Sequence, residues 1–243
     1  MIVTNEYGVP REWNEGFPAA TIPDLIRYIA QKWSSIQAGP NPFSFREKEP
    51  VVTVTLAHDL DDHADRQTFG LPGRFQPECA IPKPGDKPGR MKIKGRSDIS
   101  YILQGRATLI LEFKKLDKNK RLRERYWDDG MIRFVNGLYA KDQNVGMMVG
   151  LISGDKDNCI RLLEEEITDA ETVLKIFCLP GPGYSYVHRP SSISEEMVEF
   201  DTLHSRSSVA VKENIRLGHT FLEFMPAGSG PAVGVAATRS TSP

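Results

Sequence analysis

The sequence predicts a single α/β domain with a mixed central sheet flanked by helices. Three observations carry that reading. Two strand-like segments, Tyr101–Leu103 and Ala107–Phe113, flank Gln104-Gly105-Arg106, which is the pattern of a β-hairpin. VGMMVGLI at 145–152 is a short unbroken apolar run, suited to a strand buried on both faces. Stretches 21–37 and 119–140 repeat apolar residues at helical spacing.

Taken in order, residues 21–37 place Leu25, Ile26, Ile29, Ala30 and Trp33 on one helical stripe, ended by the turn-forming AGPNP. Residues 49–65 predict a second helix. Pro50 suits a first turn and Val52, Leu56 and Leu60 recur every four residues, although β-branched VVTVT also suits a strand. RFQPECAIPKPGDKPGR reads as a strand and a loop before the hairpin. The 119–140 helix carries Leu122, Tyr126, Met131, Phe134 and Leu138, with Tyr126 and Trp127 in the core. Gly130 and Gly137, one heptad apart, would let it approach a sheet closely at a cost of about 1 kcal/mol each in helix propensity. Beyond 145–152 come a helix at 158–168, a strand VLKIFCL at 173–179, and two further strands in EMVEFDTLHSR and NIRLGHTFLEF. These strands make a C-terminal extension of the sheet. The domain spans 1–225, and the Gly, Ala, Ser, Thr and Pro composition of 226–243 predicts a disordered tail.

Composition narrows the function classes. The 243 residues are 40% hydrophobic and 26% charged, with a formal net charge of −1, so bulk charge does not steer the molecule toward nucleic acid. Any polyanion site must be a local patch. Cys79, Cys159 and Cys178 lack metal-ligand or redox spacing and are expected as reduced thiols in a cytoplasmic protein. No signal peptide and no apolar run long enough for a membrane span is present. Walker, dinucleotide and serine-elbow motifs are missing.

The hairpin holds the chemistry. With a three-residue turn, Leu103 pairs with Ala107, and counting outward sets Asp98 opposite Glu112, with Lys114 on the same face. The other face carries Ile99, Tyr101, Leu103, Leu109, Leu111 and Phe113. Like charges opposed at about 4.5–5.5 Å between Cβ atoms are destabilising. A hard divalent cation between them reverses that sign. A neighbouring lysine can then orient or deprotonate water, or stabilise charge developing on a phosphate. The alternative is a solvated face with an ordinary cross-strand ion pair.

An acidic residue on one strand followed by E-x-K on the next, here Asp98 and Glu112-Phe113-Lys114, resembles the PD-(D/E)XK nuclease superfamily. So does the order helix, three strands, helix, strand over about 47–152. Ser97 stands where the name-giving proline would be. The resemblance implies a restriction-endonuclease-like fold and divalent-metal-dependent hydrolysis of phosphodiester bonds, in DNA rather than RNA. It implies Mg²⁺ as cofactor, with Mn²⁺ able to substitute. Asp98 and Glu112 would bind the metal and Lys114 would position the water. A glutamate on the first core helix would join them. Glu49 is preferred over Glu47 because EPVVTVTL resembles the E-x-x-[LV]-T-x-x-L start of several such nucleases, the alternative being an acid that complements the helix dipole. Stand-alone members serve in restriction, anti-phage defence or repair, as homo-oligomers or with a defence partner protein. A catalytically inactive member that binds nucleic acid or a partner protein is the rival reading.

Basic residues supply candidate phosphate contacts. KKLDKNKRLRER at 114–125 has seven basic residues among twelve, including Lys115, Lys118, Lys120, Arg121 and Arg123. Arg96 lies just before Asp98. His204 and Arg206 share a strand face by alternation and are weighed as phosphate contacts against a purely structural role. His58 and His63, five apart, are not a metal pair.

Overall fold

A computed structural model describes residues 17–84, 91–103, 107–206 and 214–225, and gives the backbone alone for 78–84, 91–97 and 182. The expected tail at 226–243, the turn at 104–106 and the loop between the first two strands fall outside the described residues.

Helix α1, Ile22–Ala38, carries Pro23 in its first turn and buries Leu25, Ile26, Ile29 and Trp33. Helix α2, Glu49–Leu60, forms despite its β-branched run. Pro50 fits the first turn, and Val52, Thr53, Leu56, Ala57 and Leu60 lie on one buried face, so packing overrides local propensity. Helix α3, His63–Thr68, follows a break at Asp62, whose side chain accepts from the Asp65 amide.

Strands β1, Arg74–Pro84, β2, Met91–Leu103, and β3, Ala107–Leu116, form an antiparallel meander. Strand β4, Val145–Ile152, is buried at every position and pairs parallel to β3. The connection between them is helical but not the continuous helix expected over 119–140. It is α4, Lys120–Arg125, a π-helical turn Tyr126–Met131, and α5, Ile132–Val135. It ends in a Schellman motif, with Leu138 N–H bonded to Arg133 O, Gly137 N–H to Phe134 O, and Gly137 at φ 63°. Gly137 therefore stops the helix, and only Gly130 serves close packing. A Cβ there would lie 2.6 Å from Met148 Cε and 3.5 Å from Lys114 Cγ.

Helices α6, Lys156–Ile167, and α7, Ala170–Lys175, lead to β5, Cys178–Leu179. The strand expected over 173–179 is thus corrected to a helix and a two-residue strand. Asp169 caps α7 by accepting from the Glu171 amide, and Phe177 at φ 49° breaks the chain direction before Cys178. Strands β6, Phe200–Ser205, and β7, Asn214–Glu223, complete a seven-stranded mixed sheet of order β1-β2-β3-β4-β7-β6-β5. α1 and α2 pack on one face with Phe75, Tyr101, Leu111 and Phe113. The π turn, α5, α6 and α7 pack on the other with Leu116, Met148 and Phe200. Cys159 and Cys178 are free thiols in the core, and no described helix is long and apolar enough to cross a membrane.

Candidate active site

The β2–β3 ladder runs from Leu103↔Ala107 to Ile99↔Leu111. Beyond it the Asp98 carboxylate takes the next amide, accepting from Phe113 N–H at 2.8 Å. Ile99, Tyr101, Leu111 and Phe113 enter the α1–α2 core, whereas Glu112 and Lys114 point to the face with Leu116 and Met148. One side of the hairpin is packing surface and the other gathers charge. This charge is buried, not solvated: Glu112 is 0% exposed and Lys114 3%.

Lys114 is the hub. Its Nζ lies 2.7 Å from Glu112 Oε1, 3.4 Å from Glu49 Oε1 and 3.8 Å from Asp129 Oδ2. Glu49, in the first turn of α2, also accepts from the Lys115 amide at 3.1 Å. Glu47 turns away and accepts from the Ser44 amide at 2.7 Å, so Glu49 is the helix glutamate that reaches the site. From α5, Arg133 donates to Glu112 Oε1 at 2.9 Å and also binds Asp129. Asp129 and Arg133 are not recognisable as site residues in the sequence. Their spacing of four fits a helical ion pair, but nothing local reports that a π turn sets them against β3.

Burial and the neighbouring Asp98 push the Glu112 carboxyl up to about 8, against the pull of Lys114 and Arg133. Burial likewise pushes Asp98 up to about 6, with Glu49 adding to it and Lys114 opposing. Burial works against the Lys114 ammonium too, but Glu112, Glu49 and Asp98 outweigh it and hold the group above its ordinary range. When all are ionised, four carboxylates (Asp98, Glu112, Glu49, Asp129) face two cations (Lys114, Arg133), an excess of two negative charges.

The fit to a divalent cation rests on one atom. Glu112 Oε1 takes both Lys114 and Arg133, while Oε2 is buried with no partner. An ionised carboxylate oxygen buried without a donor is costly, and a cation is what would satisfy it. Oxygen donors from Asp98, Glu112 and Glu49 are the set a hard divalent ion takes. Among the described residues no group of three or more His, Cys, Asp or Glu side chains is arranged to hold a metal ion as it stands. A cavity of about 560 Å³ between α1, α2 and α3, lined by Tyr28, Lys32, Asp59 and Asp65, shares no residue with this cluster.

The expected phosphate contacts divide. Lys118, Lys120 and Arg121 are exposed at the start of the crossover, and Arg125 joins them. Lys115 instead donates to the carbonyls of Phe45 and Glu47, tying the loop before α2 to β3. Arg123 is buried, donating to Glu166 Oε1 at 2.8 Å and Lys118 O at 2.8 Å. His204 and Arg206 are 0% and 1% exposed, so phosphate contact gives way to structural roles. His204 bonds Ile176 O at 2.8 Å and Thr202 Oγ1 at 2.7 Å, while Arg206 satisfies the carbonyls of Ala140, Lys141 and Gln143. The Arg96 side chain lies outside the described residues.

No protein-family profile, curated protein or solved structure matches this chain.

Proposed function

We propose that this protein is a divalent-metal-dependent nuclease that hydrolyses phosphodiester bonds, with DNA favoured over RNA. The observation that carries the reading is the buried Glu112 carboxylate, with one oxygen held by Lys114 and Arg133 and the other without a partner. The acidic residue followed by E-x-K, with a helix glutamate beside it, matches the PD-(D/E)XK resemblance at Asp98, Glu112, Lys114 and Glu49.

Asp98, Glu112 and Glu49 would hold Mg²⁺, or Mn²⁺ in its place. The ion, when bound, supplies charge neutralisation at the scissile phosphate and a more acidic water. Lys114 is kept protonated by its carboxylate neighbours, so it acts as a donor and not as a base. Its hydrogen bonds would orient the attacking water or stabilise charge developing on a phosphate oxygen. The exposed Lys118, Lys120, Arg121 and Arg125 would hold the flanking strand through its phosphates.

The test is cleavage of plasmid and of DNA and RNA oligonucleotides with Mg²⁺, Mn²⁺ or EDTA. Cation-dependent cleavage by wild type, lost in Glu112→Gln and reduced about 10²–10³-fold in Lys114→Met, supports the reading. Tight nucleic-acid binding with no cleavage under any cation would make the protein a non-catalytic binder instead.

A further inference from the structure

Resting on the nuclease reading, we infer that Arg133 is a positioning residue that presents Glu112 Oε2 to the metal by occupying Oε1. Nothing in the Asp98, Glu112-x-Lys114 pattern points to it, because it arrives from the crossover helix on the far side of the charge cluster.

Arg133 is fixed from several directions. Its Nη1 reaches Glu112 Oε1 at 2.9 Å and Tyr139 Oη at 2.8 Å, and its Nη2 binds Asp129. The guanidinium carbon also stands 5.6 Å from the centre of the buried Tyr139 ring. A planar fork held at both nitrogens cannot swing as an ammonium can. The consequence falls on Glu112. A carboxylate held only by Lys114, on its own strand, could turn about its last torsion and exchange oxygens. Held at the same oxygen by the crossover helix as well, it is fixed with Oε1 engaged and Oε2 unpartnered.

The backbone supports this. The π turn Tyr126–Met131 immediately precedes α5. Each residue inserted into a helix rotates the downstream segment by about 100°. That rotation sets Arg133 toward Glu112, while Gly130 removes the Cβ that would press on Met148 and the Lys114 stem. The Schellman turn at Gly137 then brings Tyr139 beneath the guanidinium.

Calorimetric titration with Mg²⁺ tests the role in wild type, Arg133→Met, Arg133→Lys and Tyr139→Phe, with circular dichroism checking the fold. Arg133→Met is expected to weaken Mg²⁺ binding about 10–100-fold, the usual cost of losing a group that orients a metal ligand. Arg133→Lys should recover part of that loss, and Tyr139→Phe should weaken binding measurably, by less than Arg133→Met, through a looser guanidinium. A merely structural arginine would change melting temperature but not affinity. Folded Arg133→Met binding Mg²⁺ like wild type would overturn the role and leave the nuclease reading standing. Should Arg133→Met not fold, wild-type affinity in Tyr139→Phe would overturn it equally. Absence of Mg²⁺ and Mn²⁺ binding by wild type would overturn both proposals together.

Discussion

Glu112 combines two demands at a single side chain, burial in a sheet and a negative charge beside Asp98. Its carboxyl is raised from 4.5 to about 8, and that of Asp98 from 3.8 to about 6. For acids raised on folding, the native state holds more protons than the unfolded chain between the two values. Stability is therefore fullest below the unfolded value and declines as pH rises through the folded one. Without divalent cation, the melting temperature should fall between about pH 4.5 and 8. Mg²⁺ requires the ionised carboxylates, so its stabilising shift should grow over the same interval. Melts at several pH values with Mg²⁺ or EDTA check both slopes. A Mg²⁺ shift independent of pH would place the ion elsewhere. Asp98→Asn keeps an acceptor for the Phe113 amide while removing the repelling charge. It should hold or raise stability in EDTA and abolish the Mg²⁺ shift. At this scale the E-x-K spacing exposes Asp98, Glu112 and Lys114, because a period of two fixes which residues share a strand face. Arg123, His204 and Arg206 are not legible in the same way, because residue type alone does not say whether a polar group meets solvent or a buried carbonyl.

Among the elements, the broken crossover helix decides most of the site. Gly130 lies where a Cβ would meet Met148 and approach the Lys114 stem. Gly130→Val should overpack this seam, costing about 1–3 kcal/mol of stability, and should reduce cleavage more than an equally destabilising core change elsewhere. The helical pattern of 119–140 is legible, yet the π turn is not, since its cause is the tertiary fit against β3 and β4. VLKIFCL has the β-branched and aromatic content of a strand, but the Asp169 cap starts a helix there. The same crossover begins with Lys118, Lys120, Arg121 and Arg125 at the surface. Replacing all four with glutamine should flatten the slope of log affinity against log salt by about 0.9 for each duplex phosphate they neutralise. Mg²⁺ affinity should barely move. An unchanged slope in a filter-binding series would make this segment an ordinary solvated helix start.

Over the whole molecule, the sheet is parallel at its centre and antiparallel at both margins. Helices cover both faces, which is why β4 reads as an uninterrupted apolar run. The mixed α/β class is thus readable from hydrophobic period alone. The strand order is not, because pairing of β4 with β7 spans more than sixty residues and leaves no local trace. The charge cluster lies where β2 and β3 end their ladder and α2 begins, so three separate chain segments must converge before Glu49, Asp98 and Lys114 meet. The most direct measurement is anomalous diffraction from crystals soaked in Mn²⁺ near pH 8. The expected result is a peak bonded to Glu112 Oε2, with Asp98 and Glu49 oxygens around it, absent from Glu112→Gln crystals. A wild-type crystal at saturating Mn²⁺ with no peak at Glu112, or an undiminished peak in Glu112→Gln, would contradict the metal site.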